Sequence, residues 1–108
     1  MVFCITTLCS YGDSGDYAAF PIIRLGLDLT RFAMSVRSVC REPVRGNESR
    51  IFLVFKHANI TVFKSGRMIL EGVSPDAQSV AGDLITELFA IYDSYASINN
   101  TKNVWDSV

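Results

Sequence analysis

Arg50-Ile51-Phe52-Leu53-Val54-Phe55-Lys56, then Ile60-Thr61-Val62-Phe63-Lys64, then Ser65-Gly66-Arg67 leading into Met68-Ile69-Leu70-Glu71: this stretch decides the fold. Both runs are β-branched or aromatic almost throughout, the composition that suits a pleated, half-buried surface. His57-Ala58-Asn59 separates the first two runs, and Lys64-Ser65-Gly66-Arg67 is a tight turn into the third. Three strands joined by short turns predict an antiparallel meander.

Working toward the C-terminus, Ser74-Pro75-Asp76 supplies a capping hydroxyl, a proline suited to the first helical position and an acid for the first turn. Ala77, Val80, Ala81, Leu84, Leu88, Ile91 and Tyr95 then recur at spacings of three and four, which predicts a helix laying one apolar stripe on the sheet through about Ile98. Residues 99–108 are polar apart from Val104 and Trp105 and read as a loose tail.

Toward the N-terminus, Phe3 to Cys9 reads as a strand running into the turn Tyr11-Gly12-Asp13-Ser14-Gly15. Asp16 to Leu29 carries Phe20, Ile23 and Leu27 around Pro21 and suggests a short, broken helix. From Arg31 to Val39, Phe32, Met34 and Val36 alternate with Ala33, Ser35 and Arg37, the pattern of a half-buried strand. Arg41-Glu42-Pro43 closes it, and Val44 to Ser49 forms a polar loop around Gly46-Asn47.

A length of 108 residues with 49% apolar and 19% charged residues fits one globular domain and excludes disordered or collagen-like chains. The longest apolar runs fall far short of the roughly 18 residues a membrane-spanning helix needs. The first residues lack a basic region and a cleavage site, so the sequence reads as intracellular. Cys4, Cys9 and Cys40 are odd in number without a Cys-x-x-Cys pair, and His57 stands alone, so no zinc site is expected and the thiols read as reduced, small apolar residues. No nucleophile, base or phosphate-binding glycine loop forms a set, so neither an enzyme nor a cofactor is expected.

Charge is uneven. Arg31 to Arg67 holds eight basic residues against Glu42 and Glu48, while the rest of the chain holds two basic residues against nine acids. If the basic segment forms one surface it attracts phosphates. If the signs cancel in space, the surface is an ordinary mixed one.

Thr30-Arg31-Phe32-Ala33 followed by Arg41-Glu42-Pro43 resembles a strand of the TATA-box-binding proteins that starts Arg-Phe-Ala and closes Arg-Glu-Pro. Ile60 to Gly72 is similar to that family's apolar-Phe-x-Ser-Gly-Lys-Met-Val-x-Thr-Gly, and Ser74 to Phe89 fits its second helix. The resemblance covers residues 4 to about 98 and implies an α+β fold: a curved antiparallel sheet with two helices on the convex face, one half of the family's saddle. Residues 1–98 would be this half domain and 99–108 a polar C-terminal tail.

The resemblance implies a transcription-initiation DNA-binding protein that bends the minor groove of double-stranded DNA by inserting apolar wedges, a mode of which that family is a well-known instance. Phe32 and Phe63 match the wedges, and Arg31, Ala33, Thr61, Ser65, Arg67 and Ile69 are implied to lie at the DNA. The family carries two such halves in one chain. A lone half is therefore expected to act as a homodimer, as a heterodimer with a related half, or with other transcription-initiation proteins, in a nucleus or a viral transcription compartment. Four departures matter, one of them a longer stretch from Val44 to Asn59 that implies an extended hairpin or loop. Glu71 replaces a threonine that touches base edges, Cys4 replaces a base-bonding asparagine, and one extra residue between Phe32 and Arg41 leaves neither Arg37 nor Ser38 assignable to a phosphate contact. They leave open a protein–protein interaction module that kept the fold and lost DNA binding.

Overall fold

The computed structural model describes the backbone of residues 2–23 and 26–106 and the side chains of the same residues through 95. The architecture is α+β: a curved, unclosed six-stranded antiparallel sheet carrying two helices. The elements are β1 (Phe3–Ser10), β2 (Gly15–Pro21), α1 (Leu29–Val36), β3 (Arg45–Gly46), β4 (Arg50–Phe55), β5 (Ala58–Phe63), β6 (Met68–Val73) and α2 (Gln78–Asp106). Strand order across the sheet is β1-β2-β6-β5-β4-β3.

The meander β4-β5-β6 forms as its composition dictates. Phe52 faces Thr61, and Thr61 faces Ile69, in unbroken antiparallel register. The β4–β5 connection is tighter than its sequence suggests: Lys56 and His57 alone make the turn, both with positive φ (48° and 72°), and Ala58 already belongs to β5. Mirror-type turns of this kind match the twist of a hairpin, although they usually employ Asn or Gly. Between β5 and β6, Gly66 takes φ 92° and donates its N–H to the Phe63 carbonyl, a geometry in which a Cβ is disfavoured.

Two expectations about the first third of the chain are corrected. Arg31 to Val39 is not a strand: residues 29–36 form α1. Asp28 caps this helix, its carboxylate accepting from the Arg31 N–H at 3.2 Å, and Leu29, Phe32 and Val36 share the buried side. The alternation of Phe32, Met34 and Val36 misleads because the helical repeat starts three residues before it, at Leu29, and Met34 is exposed. Conversely, the stretch read as a broken helix contains β2, whose Tyr17 and Ala19 are buried against the helices.

The helix-covered face holds the core. Tyr17, Ala19, Ile51, Leu53, Phe55, Ile60, Val62, Met68 and Leu70 project from the strands against Phe32 and Val36 of α1 and Ala81, Ile85, Leu88 and Phe89 of α2. Phe89 is central, with its ring 5.3 Å from that of Phe3 and 5.6 Å from that of Phe32. The stripe expected on α2 is present. Its beginning and end differ from expectation. Ser74 does not cap the helix but donates to the Asp13 carbonyl at 3.2 Å, and α2 starts at Gln78. Residues 99–106, expected as a loose tail, continue the helical backbone to Asp106, while 107 and 108 lie outside the described residues. No described helix is long and apolar enough to cross a membrane.

Candidate nucleic-acid interface

Neither helix covers the opposite face of the sheet, and strand register sets what it displays. Residues paired across strands share a face, so Phe52, Thr61, Ile69, Ala18 and Thr6 form one row running across five strands. Arg45 of β3 extends that row beside Phe52. A second row places Arg50 opposite Phe63 and Phe20 opposite Cys4; the Arg67 carbonyl, which accepts the Phe63 N–H at 2.9 Å, brings Arg67 in between. The third row holds Val54, Asn59 and Glu71.

Aromatic rings and guanidinium groups meet in the second row. The Arg67 guanidinium carbon lies 5.3 Å from the centre of the Phe20 ring and 5.4 Å from that of Phe63. Arg50 lies 5.6 Å from the centre of Phe52. These are cation–π distances, and they set each exposed arginine beside an apolar ring. Phe20 is 41% exposed and Phe52 45% exposed, large values for phenylalanine on a folded surface.

The far end of the face has the opposite sign. Glu71 is exposed there, and Asp16 accepts from the Gly72 N–H at 3.0 Å and from the Tyr11 hydroxyl at 2.8 Å. A cleft of about 250 Å³ separates Glu42 and Pro43 from Phe52, Asn59, Thr61 and Glu71 at this end. The open face is thus graded, cationic and aromatic along one margin and acidic along the other.

Hydrogen bonds at the rim position β2, and with it Phe20. Asp76, ahead of α2, accepts from the hydroxyls of both Ser10 and Tyr17. These donors stabilise its carboxylate and pull its pKa below the ordinary value, the Ser10 hydroxyl most strongly. In return the Tyr17 phenol, hydrogen-bonded to that carboxylate, is pushed up to about 12.

Four of the eight residues singled out from the sequence gather on this face: Phe63, Thr61, Arg67 and Ile69. Ser65 sits in the adjoining turn, where its hydroxyl accepts from the Arg67 N–H at 3.4 Å. Arg31, Phe32 and Ala33 are on α1, behind the sheet, and Phe32 is fully buried between Phe89 and Tyr92. Phe32 therefore cannot reach a ligand on the open face, and the exposed ring beside Phe63 is Phe52. The two are diagonal neighbours on adjacent strands, a separation of about 7–8 Å. Phe20, Phe52, Arg50 and Arg45 were not anticipated. Both phases of Ile51-Phe52-Leu53-Val54-Phe55 are apolar, so alternation alone cannot say which phenylalanine faces out. Phe20 was hidden by reading β2 as helix.

The basic segment does not form one surface. Arg31 and Arg37 lie with α1, and Lys56 pairs with Glu87 of α2 at 2.8 Å, while Arg45, Arg50 and Arg67 belong to the open face. Among the described residues, no group of three or more His, Cys, Asp or Glu is arranged to hold a metal ion. Comparison with protein-family models, curated proteins and solved structures finds no match to this chain.

Proposed function

We propose that the open face binds the minor groove of double-stranded DNA in the manner of one half of a TATA-box-binding protein, in transcription initiation. The observation that carries the reading is a pair of rings on the open face, the exposed Phe52 and the half-buried Phe63, each with an arginine near it. Inserting a flat ring into a base step replaces part of the stacking that is lost, and the resulting kink lets more protein surface reach the groove. Arg50, Arg67 and Arg45 supply phosphate attraction beside the wedges, while the half-buried Thr61 and Ile69 form a mostly apolar floor between them. Glu71 repels the groove's negative potential and confines the duplex to the cationic margin. Such a role belongs inside the cell, in a nucleus or a viral transcription compartment, with other initiation proteins or a second half completing the saddle.

Duplex binding at two salt concentrations tests this. Counterion release makes phosphate-driven affinity fall steeply with salt, so micromolar binding that weakens about tenfold on raising salt is expected. An isolated chain that binds no duplex at low salt overturns the reading for that state.

Glu71 favours a second reading, a protein-interaction module of the same fold without DNA binding. It predicts weak duplex binding by the wild type and a marked gain in Glu71→Thr. Equal binding by the two proteins would remove its basis.

A further inference from the structure

The outer edge of β1 is the longest unpaired strand edge among the described residues. Val2 accepts from the Ile22 N–H through its carbonyl, and because antiparallel pairing alternates, Cys4 and Thr6 turn their N–H and C=O groups toward β2. Phe3, Ile5 and Thr7 consequently point theirs outward, with no neighbour. Proteins usually guard such an edge with a charge, a proline or a covering segment. Phe3–Ser10 contains neither a charged residue nor a proline. At the other end of the sheet, by contrast, Arg45–Gly46 covers part of the β4 edge and brings an arginine.

A second observation lies beside this edge. Between β1 and α2 runs a groove of about 560 Å³, lined by Phe3 and Ile5 of β1 and by Gly82 and Ile85 of α2, with the charged Asp83 also in its lining. At Gly82 the helix passes close to β1: a Cβ there would stand 3.4 Å from Ile5 Cδ1, at van der Waals contact. Phe3 and Ile5 are only half-buried against α2, so an added strand would finish covering side chains that already belong to the core margin.

We infer that β1 pairs antiparallel with β1 of a second copy of this chain, joining two sheets into one about a two-fold axis at Ile5. The register follows from the outward groups. Centring on Ile5 sets Ile5 against Ile5 and Phe3 against Thr7 of the other copy, so every outward N–H and C=O of these three residues is used. Centring on Cys4 or Thr6 leaves Thr7 or Phe3 without its counterpart among them. An uncharged strand meets its own copy without like-charge repulsion, and a two-fold contact is self-complementary by construction. The axis stands perpendicular to the sheet, so both open faces lie on the same side. The pairing does not depend on DNA, and it supplies the second half that the proposed function needs.

The same register sets Cys4 opposite Thr6 of the other copy in a pair that is not hydrogen-bonded, where Cα atoms stand about 4.5 Å apart, within disulfide range. Light scattering on the full chain at about 100 µM should give twice the 12.0 kDa chain mass. Oxidised Thr6→Cys should run as a covalent dimer, and adding Cys4→Ser should abolish that link. Thr7→Pro removes an outward N–H from an exposed residue without touching the β2 ladder, so it should return the protein to a monomer with an unchanged circular dichroism spectrum. A wild-type monomer at that concentration, or a Thr6→Cys cross-link that survives Cys4→Ser, overturns the inference. Either result leaves salt-sensitive DNA binding by the single chain to be judged separately.

Discussion

The two faces of one sheet treat the same residue type in opposite ways. On β4, Phe55 is 3% exposed beneath the helices, while Phe52, three residues earlier on the other face, is 45% exposed. Strand parity alone separates them. Apolar side chains on the covered face are accounted for by the core they build. Those on the open face gain little from folding, and a cluster of them flanked by arginines points outside the molecule for its explanation.

The largest effect expected from this contrast is on stability. Phe32→Ala removes a fully buried ring packed against Phe89 and Tyr92 and should cost about 3–5 kcal/mol in urea unfolding. Phe52→Ala should cost less than about 1 kcal/mol in the same experiment. Comparable losses would erase the distinction between the faces.

Binding should show the reverse. If the open-face rings stack on bases, Phe52→Ala and Phe63→Ala should each weaken duplex affinity by about 1–3 kcal/mol. Surface alanines on the α1 side, such as Met34→Ala, should leave affinity unchanged. A scan in which Met34→Ala weakens binding as much as Phe52→Ala would move the interface off the open face.

Smaller effects lie at the rim between the faces. Because the Ser10 and Tyr17 hydroxyls lower the Asp76 pKa, the folded value lies below the unfolded one. Its stabilisation is therefore present above the unfolded pKa of about 4 and is lost as pH falls through the folded value. Tyr17 has the opposite sign: raised to about 12, it contributes below its unfolded value and loses that contribution as pH rises toward 12. Asp76→Asn should flatten the acid limb of a melting-temperature profile, and superimposable acid limbs in wild type and variant would count against this tie. Smallest of all, Lys56→Ala breaks an exposed ion pair with Glu87 and should change stability by less than about 1 kcal/mol.

Much of the covered architecture was legible in the sequence. The meander and the stripe on α2 announce themselves because burial on one side imposes a period, two on strands and three to four on helices. In the first third of the chain those periods overlap, and the local pattern misleads. Phe32-Ala33-Met34-Ser35-Val36 satisfies a strand pattern over five residues, and only Asp28 and Leu29 upstream reveal the helix. Pro21 inside β2 disguised a strand whose partner lies far along the chain. The open face was half legible: Phe63, Thr61, Arg67 and Ile69 follow from one continuous segment, whereas Phe20 and Phe52 come into register only through pairing between segments, which no local pattern records.

That distant pairing has a kinetic consequence. β2 hydrogen-bonds to β6, with Tyr17 opposite Leu70, so during synthesis the β1–β2 hairpin emerges and waits for about fifty further residues before its inner edge is closed. At about 5–20 residues per second the wait lasts seconds, far longer than the microseconds a hairpin needs to form. The nascent chain therefore passes through an interval in which β2 offers Tyr17 and Ala19, later buried, to whatever lies nearby. Completion of the sheet is the step that ends this exposure, and such long-range closure is the kind that slows folding.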